Sequence, residues 1–235
     1  GTASGVDSTA RDAGAAEIRM GAGSGIDAGT GSVDLQLRNG VGQTQRDGGA
    51  ITLRSITAGN ISAINSGRVG TGSGEIAIPS GALTLTGSTG NPLTLAGTRF
   101  TNLSGAGALA PGSRYFRVWS SDWSLDTRGS LTGSNLYNQT FGAQITLPNG
   151  NVFIFSRQPI LTVTADNFTR NAGEANPTLT GQITGLVNGD TAGQAYSGAP
   201  TYSTSADTSS VAGTYPVTPS LGTLSSSVGY AFSLA

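Results

Sequence analysis

The sequence predicts an all-β protein: a right-handed parallel β-helix segment with an aromatic-rich cap, followed by a small Ig-like β-sandwich. Three observations predict it. Pairs of aliphatic residues two positions apart recur between glycines in the first part of the chain, the aromatic residues are concentrated in the middle, and short strand patterns separated by turn residues fill the rest. Alternation with a period of two is typical of strands with one buried face.

Residues 1–98 are predicted to be β-helix coils, the end of a shaft. This zone contains no aromatic residue, and an aliphatic–small–small–glycine phrase begins at Ile26, at Ile56 and again at Ile78. Glycine permits the positive φ of tight bends, so each phrase reads as strand, bend, strand. About four coils fit before Phe100 at roughly 4.8 Å per coil. The spacing of 30 residues and then 22 predicts a protruding loop over residues 38–49. Strand pairs are expected at Val33/Leu35/Leu37, Ile51/Leu53, Ile61/Ala63, Ile76/Ile78, Leu83/Leu85 and Leu93/Leu95.

Residues 99–158 are predicted to be an aromatic-rich capping and transition segment. The last coil of a β-helix leaves backbone donors and acceptors unpaired, and such an edge promotes association unless another segment covers it. Pro148-Asn-Gly-Asn151 reads as a turn, and Val152–Phe155 as a buried strand. Nine of the fifteen aromatic residues lie here: Phe100, Tyr115, Phe116, Trp119, Trp123, Tyr137, Phe141, Phe153 and Phe155.

Residues 160–235 are predicted to be a small Ig-like sandwich, because turn residues separate a series of short strand patterns. The spacing Gly213-Thr-Tyr215 is that of a tyrosine corner, in which the phenol binds backbone upstream. The final strand of the sandwich is expected to be missing after Ala235. Strand candidates are Leu161–Ala165, Thr178–Thr184, Ala195–Ser197, Thr201–Thr204, Thr214–Thr218 and Tyr230–Leu234.

Composition excludes several function classes. The chain has no cysteine and no histidine, which removes disulfides, thiolate chemistry, the most frequent zinc ligands and the usual general base. Its net charge is −1, so no basic face is available for nucleic acid. We therefore expect no enzyme activity, no catalytic residues, no cofactor, no metal and no nucleic-acid partner.

One group of residues has the chemistry of a sugar-binding platform. Aromatic faces stack on pyranose rings, and carboxylate and guanidinium groups bind hydroxyl groups in pairs. The alternative is that these aromatics pack as the core of the cap, with the charged groups at its rim. Asp122 and Asp126 would also be the acid/base pair of a glycosidase, although their spacing is almost uninformative. The candidates for carbohydrate contact are Tyr115, Trp119, Asp122, Trp123, Asp126 and Arg128.

Three stretches of the chain resemble bacterial exoproteins of the filamentous-haemagglutinin type, which carry mostly-β, glycine-rich MBG domains. ITLRSITAGNISAINSG is similar to their β-helix shaft, and RYFRVWSSDWSLDTRGSL with LYNQTFGAQ and GNVFIFS is similar to the block that closes the shaft. LTVTADNFTRNAGEANPTLTGQITGLVNGDT with AGTYPVT and GYAFSLA resembles an MBG domain. One departure is Ala172, which stands before Gly173 where the family pattern usually has tyrosine.

The resemblance implies a structural and adhesive segment of a large secreted cell-surface adhesin or biofilm-matrix fibre, acting by reach and multivalent contact. The alternatives are a carbohydrate-binding module for matrix polysaccharide and a β-helix polysaccharide lyase or hydrolase. The implied partners are a polysaccharide or the surface of a host or neighbouring cell, and an outer-membrane transporter during two-partner export. Self-association, or completion of the sandwich by a strand from a neighbouring segment, is a further expectation.

Overall fold

The computed structural model describes residues 17–37, 49–65 and 74–235. The loop predicted over residues 38–49 lies outside the described residues except for its last position. The chain divides into two compact units, Gly1–Arg157 (unit 1) and Gln158–Ala235 (unit 2). Nearly all regular structure is β, which confirms the predicted all-β class, and much of the strand pairing is parallel. No helix in the described ranges is both long enough and apolar enough to span a bilayer.

Unit 1 consists of short strands in three parallel sheets. Among the first twelve strands, each sheet takes every third strand of the chain. Three consecutive strands, one in each sheet, form what we call a rung. Four rungs are present in the described residues. The strands are β1 (Ile18–Arg19), β2 (Gly25–Asp27), β3 (Ser32–Leu37), β4 (Ile51–Thr52), β5 (Ser55–Ala58), β6 (Asn60–Asn65), β7 (Glu75–Ile78), β8 (Leu83–Leu85), β9 (Leu93–Ala96), β10 (Arg99–Asn102), β11 (Leu109–Ala110), β12 (Phe116–Ser120), β13 (Ser134–Leu136) and β14 (Val152–Phe155).

The sheet orders follow from this repetition. Sheet A is β1-β4-β7-β10, sheet B is β2-β5-β8-β11, and sheet C is β3-β6-β9-β12-β14-β13. In the described residues three rungs are complete before Phe100, because the fourth of these rungs begins with β10. The estimate of about four coils before Phe100 also covers residues outside the described ranges, so it stays a prediction. The three sheets continue across residue 98, and the aromatic segment supplies the strands of the fourth rung.

The three copies of the sequence phrase do not all occupy the same place in a rung. Ile26 lies beside Ile56 in sheet B, as the alignment of the phrases predicts. Ile56, however, pairs with Leu83, whereas Ile78 pairs with Asn102 in sheet A. The alignment of the third copy was thus wrong. The same local pattern makes a bend between sheets B and C at Gly59 and between sheets A and B at Gly81, and a short pattern cannot distinguish the corners.

The core of unit 1 is built by strand alternation. In β6, β7, β8 and β10, every second side chain is buried, and the residues between are partly exposed. Parallel in-register pairing places each buried side chain above its partner in the next rung, so that aliphatic side chains form continuous columns. The fully buried residues include Ile51, Leu53, Ile56, Ile61, Ile76, Ile78, Leu83, Leu93, Leu95 and Phe100.

Arg114 holds one corner of the stack together. Its guanidinium donates to the carbonyl of Gly59 at 2.7 Å and to that of Thr86 at 3.0 Å. It also donates to the Asn91 carbonyl and to Asn60 Oδ1, each at 3.2 Å. These acceptors lie in the second and third rungs, and Arg114 itself lies in the fourth. Buried carbonyl groups at a bend need partners, and one arginine supplies them for two successive rungs.

The aromatic segment covers the end of the stack, which is where open strand edges would otherwise remain. Thr127 makes a parallel bridge with Thr101, so residues after the fourth rung pair with the outer edge of β10. In sheet C, β14 pairs with β12, and β13 then pairs with β14, so the later strand lies between two earlier ones. At this end of the stack the edge strand of sheet C is β13, which has only three residues.

Unit 2 pairs a three-stranded sheet with a two-stranded hairpin. Its elements are β15 (Ile160–Ala165), β16 (Gly181–Thr184), a short helix α1 (Ala192–Ala195), β17 (Thr201–Thr204), β18 (Val217–Ser220) and β19 (Ala231–Leu234). The sheet order is β16-β15-β19, with β19 parallel to β15, and β17 pairs antiparallel with β18. Strands occur close to five of the six predicted sites.

The strand predicted at Ala195–Ser197 was wrong at its first residue, because Ala195 is the last residue of α1. The Gln194 side chain accepts from the backbone N–H of Thr191 at 2.9 Å and so favours a helical turn before the chain extends. The tyrosine-corner prediction for Tyr215 is confirmed at the level of its hydrogen bond. Its phenol donates to the Val211 carbonyl, four residues upstream, at 3.1 Å.

Candidate functional site

Trp119 belongs to the interior of the cap. It lies on β12 and shares a face of sheet C with Ala96 and Ile154, because these residues are in register. The outer side of this face is covered by the chain after β13, through Phe141, Ile145 and Leu147. The Phe141 ring contacts the indole edge to face at 5.4 Å between centroids, and Trp119 is only 8% exposed. This indole contributes to packing and presents no open face to a sugar.

Trp123 lies in a different place from Trp119. It begins a 3-10 helix, Trp123–Leu125, that follows β12. Its indole contacts Tyr137 and Phe155 edge to face, with centroids 5.2 Å and 6.1 Å away, and the Arg157 guanidinium lies 5.0 Å from its ring centroid. Phe155 is in register with Ser120, so it lies on the face of sheet C opposite to Trp119. The two tryptophans therefore do not form a single platform.

Both aspartates of the candidate site are occupied by contacts within unit 1. Asp122 pairs with Arg157 at 2.5 Å and accepts from Ser124. Burial raises the pKa of Asp122, but these hydrogen bonds and the Arg157 charge outweigh burial and hold the pKa below its usual value. Asp126 accepts from the Phe100 N–H at 2.8 Å and from Ser120 Oγ at 2.7 Å. There burial dominates and raises the pKa to about 6.

Arg128 and Tyr115 complete the set of sequence candidates. The Arg128 guanidinium lies over the Phe153 ring at 3.9 Å and donates to Asn135 Oδ1 at 2.7 Å, so it covers the aromatic end of the core. Tyr115 precedes β12 and is 38% exposed, with the Arg117 guanidinium 5.4 Å from its ring centroid. Of the six candidates, Tyr115 has the most accessible ring.

The chemistry of this end of unit 1 is therefore that of a packed cap. The structure brings Asp122 and Trp123 together around Arg157 and places Asp126 against the backbone of β10. Trp119 and Tyr115 lie outside that cluster. In the part of the chain that the structure describes, no three acidic residues converge as they would around a metal ion. Carbohydrate contact here remains a prediction, with Tyr115 as its accessible aromatic group.

A groove in unit 2 is the feature that the sequence interpretation missed. It has a volume of about 610 Å³ and lies between the segment after β15 and the segment that joins β17 to β18. Phe168 and Leu179 line one wall, and Tyr215 and Val217 line the other. Polar side chains, among them those of Asp166, Asn167, Arg170, Asn176 and Ser210, alternate with the apolar groups.

Hydrogen bonds between the two segments hold the groove in shape. Arg170 donates from Nε to Asn176 Oδ1 at 2.8 Å, and its Nη2 donates to the Asp207 carbonyl on the opposite wall. Asn176 Nδ2 donates to the carbonyl of Ala206 at 2.5 Å, which joins the same two segments. The sequence pattern that could have indicated the groove was weak. It consisted of two turn-rich segments that each contained one aromatic residue, Phe168 and Tyr215.

Comparison with known proteins adds one result for this unit. Residues 161–235 match the MBG domain (YGX type). This match confirms the MBG domain that the third sequence stretch predicted. MBG domains occur in large surface proteins, which agrees with a structural or adhesive role. No curated protein and no solved structure matches the chain.

Proposed function

We propose that this chain is a structural and adhesive segment of a large secreted cell-surface adhesin or biofilm-matrix fibre. In this proposal unit 1 is the end of a right-handed parallel β-helix shaft, closed by its aromatic-rich cap, and unit 2 is an Ig-like module appended to the shaft. The observation that carries the proposal is the MBG domain at residues 161–235. Such domains belong to large surface proteins.

The strand pairing of unit 1 supports a mechanical role. Its three sheets pair in register from rung to rung, for example Ile51 with Ile76 in sheet A and Ala63 with Leu95 in sheet C. Each rung is therefore joined to the next by backbone hydrogen bonds, and the side chain of Arg114 also joins the fourth rung to the second and third at one corner. Many parallel bonds must break together before a rung separates, which suits a segment that transmits force.

The carboxylates of the cap support a non-catalytic role. A general acid or base needs access to the substrate, whereas Asp126 is directed at the Phe100 N–H and Ser120 Oγ. Asp122 is neutralised by Arg157. We expect no cleavage of acidic or neutral polysaccharides by the chain. Turnover that disappears in both Asp122→Asn and Asp126→Asn would favour the lyase or hydrolase alternative.

The proposal includes location and export, on the strength of the filamentous-haemagglutinin resemblance. The chain is secreted to the bacterial surface through an outer-membrane transporter, and it contacts polysaccharide or the surface of a host or neighbouring cell. Many copies on one surface make weak contacts effective, because each bound copy raises the local concentration of the next.

The test is adhesion under flow. Microspheres coated with the purified chain are passed over bacterial cells, epithelial cells and immobilised matrix polysaccharide, and retention is compared with that of microspheres carrying an unrelated protein of equal size. We expect retention on at least one surface, rising steeply with coating density. Immunolabelling of intact producing cells should detect the chain outside the cell. Retention no greater than the control on every surface, or labelling confined to the cell interior, contradicts the proposal.

A further inference from the structure

We propose that the groove of unit 2 is a carbohydrate-binding site for a short, neutral, hexose-containing oligosaccharide. This inference rests on the proposed adhesive function and deepens it, because it names the site of contact and the class of ligand. The inference also assigns sugar contact to unit 2, whereas the sequence motifs predict sugar contact in the aromatic segment of unit 1.

The size and lining of the groove fit such a ligand. Its volume of about 610 Å³ lies within the range of about 300–1,000 Å³ that is typical of ligand sites. Phe168 and Tyr215 line it, together with Pro177 and Pro216. Flat ring surfaces match the C–H faces of pyranose rings, whereas a pocket for a lipid or a purely apolar compound would be lined mainly by aliphatic side chains.

The polar groups of the groove favour a neutral sugar over an acidic one. Asp166 lines the groove, and one oxygen of its carboxylate accepts from Thr180 Oγ1 at 2.7 Å. Arg170 directs its donors at Asn176, at the Asn171 carbonyl and at the Asp207 carbonyl on the wall. An anionic ligand would meet the Asp166 carboxylate beside a guanidinium that is already engaged. Hydroxyl groups, by contrast, find both acceptors and donors in Asp166 and the exposed Asn167.

The walls of the groove also discriminate against an extended peptide that would add as a β-strand. Such a peptide needs a regular strand edge on which to form its backbone hydrogen bonds. Here most of the lining lies in residues 166–179 and 205–216, which contain turns and extended segments. Only the end residues of three strands, Ala165, Thr204 and Val217, reach the groove, so it presents no regular strand edge. An oligosaccharide needs only ring faces and scattered polar side chains.

The site is organised before any ligand arrives. Arg170 and Asn176 tie the two walls together, and the phenol of Tyr215 is fixed by the Val211 carbonyl at 3.1 Å. A groove that is already formed does not have to be ordered on binding, which lowers the entropic cost.

Ala172 leaves the groove open. It lines the groove directly before Gly173, which has a φ of 89°. A phenol at position 172 would add a large ring to the lining. Ala172→Tyr is therefore a substitution that occupies the groove without removing any of its present contacts.

The experiment measures binding of the full chain to an array of neutral and acidic oligosaccharides and of extended peptides. Titration calorimetry with the best neutral oligosaccharide then compares the parent chain with Phe168→Ala, Ala172→Tyr and Tyr115→Ala. Phe168→Ala removes a ring from the groove, and Ala172→Tyr fills the groove. Tyr115→Ala removes the accessible aromatic group of the alternative site in unit 1. Thermal unfolding of each variant shows whether both units remain folded.

We expect a neutral oligosaccharide to bind, and both groove variants to weaken its binding by about tenfold or more. The affinity of Tyr115→Ala should equal that of the parent chain. If Phe168→Ala fails to fold, Ala172→Tyr decides the result alone. The inference is overturned by binding that only Tyr115→Ala removes, by preference for acidic sugars or peptides, or by no binding on the array. The adhesive proposal is judged separately by retention under flow, and it survives these outcomes if the microspheres still adhere.

Discussion

Units 1 and 2 are both mostly β, but they bury their apolar residues in different ways. In unit 1, columns of aliphatic side chains run through successive rungs, and the aromatic residues Phe100, Phe116 and Phe153 close the end at less than 2% exposure. In unit 2, a three-stranded sheet faces a hairpin of two strands, and only a few apolar side chains, such as Leu161, Val163 and Tyr230, are buried.

The difference shows what each kind of strand packing can enclose. In the three parallel sheets of unit 1, buried residues lie in register with buried residues of the neighbouring rungs, so they can pack closely from rung to rung. Unit 2 buries fewer apolar side chains in its two small sheets and adds polar contacts. Tyr230 OH, for example, donates to Asp190 Oδ2 at 2.9 Å and accepts from the Val187 N–H at 3.2 Å. Unit 2 has few buried apolar side chains, and it contains the groove.

The largest effect is expected from removing a ring of the cap core. Phe153→Ala should lower the free energy of unfolding of unit 1 by about 4 kcal/mol, because the ring is fully buried. It contacts Phe116 at 5.3 Å between centroids, and Arg128 covers it at 3.9 Å. The matched change in unit 2, Phe168→Ala, should cost about 1 kcal/mol because that ring is only half-buried. Urea unfolding followed separately for the two units measures both. Equal losses would contradict the contrast in packing.

The next effect concerns the arginine that joins the rungs. Arg114→Met should destabilise unit 1 by about 2–3 kcal/mol, since it leaves the carbonyls of Gly59 and Thr86 buried without their donor. Arg157→Met is the control. Its side chain is largely exposed, and its ion pair with Asp122 should be worth less than about 1 kcal/mol. Thermal unfolding of both variants gives the comparison, and similar small shifts would mean that Arg114 does not hold the corner.

A smaller effect should depend on pH, through Asp126. Burial raises the folded-state pKa of Asp126 to about 6, above its ordinary value of 3.8. The folded state therefore binds a proton more tightly than the unfolded state. The contribution of Asp126 to stability is complete below pH 3.8 and is lost as the pH rises through about 6.

Asp126→Asn isolates this contribution, because an amide still accepts from the Phe100 N–H and can donate to Ser120. The stability of the variant relative to the parent should increase by about 2 kcal/mol between pH 4 and pH 7. Urea unfolding at a series of pH values measures the difference in unfolding free energy between the variant and the parent. The contributions of the other carboxyl groups are the same in both proteins and cancel. A difference that does not change with pH would show that the carboxyl group titrates alike in the folded and unfolded states.

The smallest effect should appear in unit 2. Ala172→Tyr should raise the free energy of unfolding of unit 2 by about 0.5–1 kcal/mol, because the added ring covers apolar surface in the groove. Unit 1 should be unchanged. Thermal unfolding shows both, with Ala172→Ser as a control that adds no ring. Destabilisation by tyrosine would indicate that the groove cannot hold an aromatic side chain at this position.

The sequence predicted many of the strands, whereas the arrangement of the candidate site residues depended on the tertiary structure. The alternation in Ile61/Ala63 and Leu83/Leu85 appears as β6 and β8, and Val152–Phe155 forms β14 as expected. Alternation reports burial on one face, which is a local property. The candidate site fared differently. Trp119 and Trp123 are four positions apart, yet they lie on opposite faces of sheet C, because the chain leaves the strand at Ser120 and turns into a 3-10 helix.

Composition and period by themselves determined that the chain is all-β and where most strands begin, and the resemblance of the third sequence stretch indicated the MBG domain in the last third. These properties follow from the residue pattern along the chain. Only the tertiary structure decided which strands pair, since Ile56 pairs with Leu83 and not with Ile78. It also decided that β14 lies between β12 and β13, and that residues 166–179 and 205–216 enclose a groove. Pairing and enclosure depend on contacts between residues distant in sequence, and similar short phrases do not distinguish one partner from another.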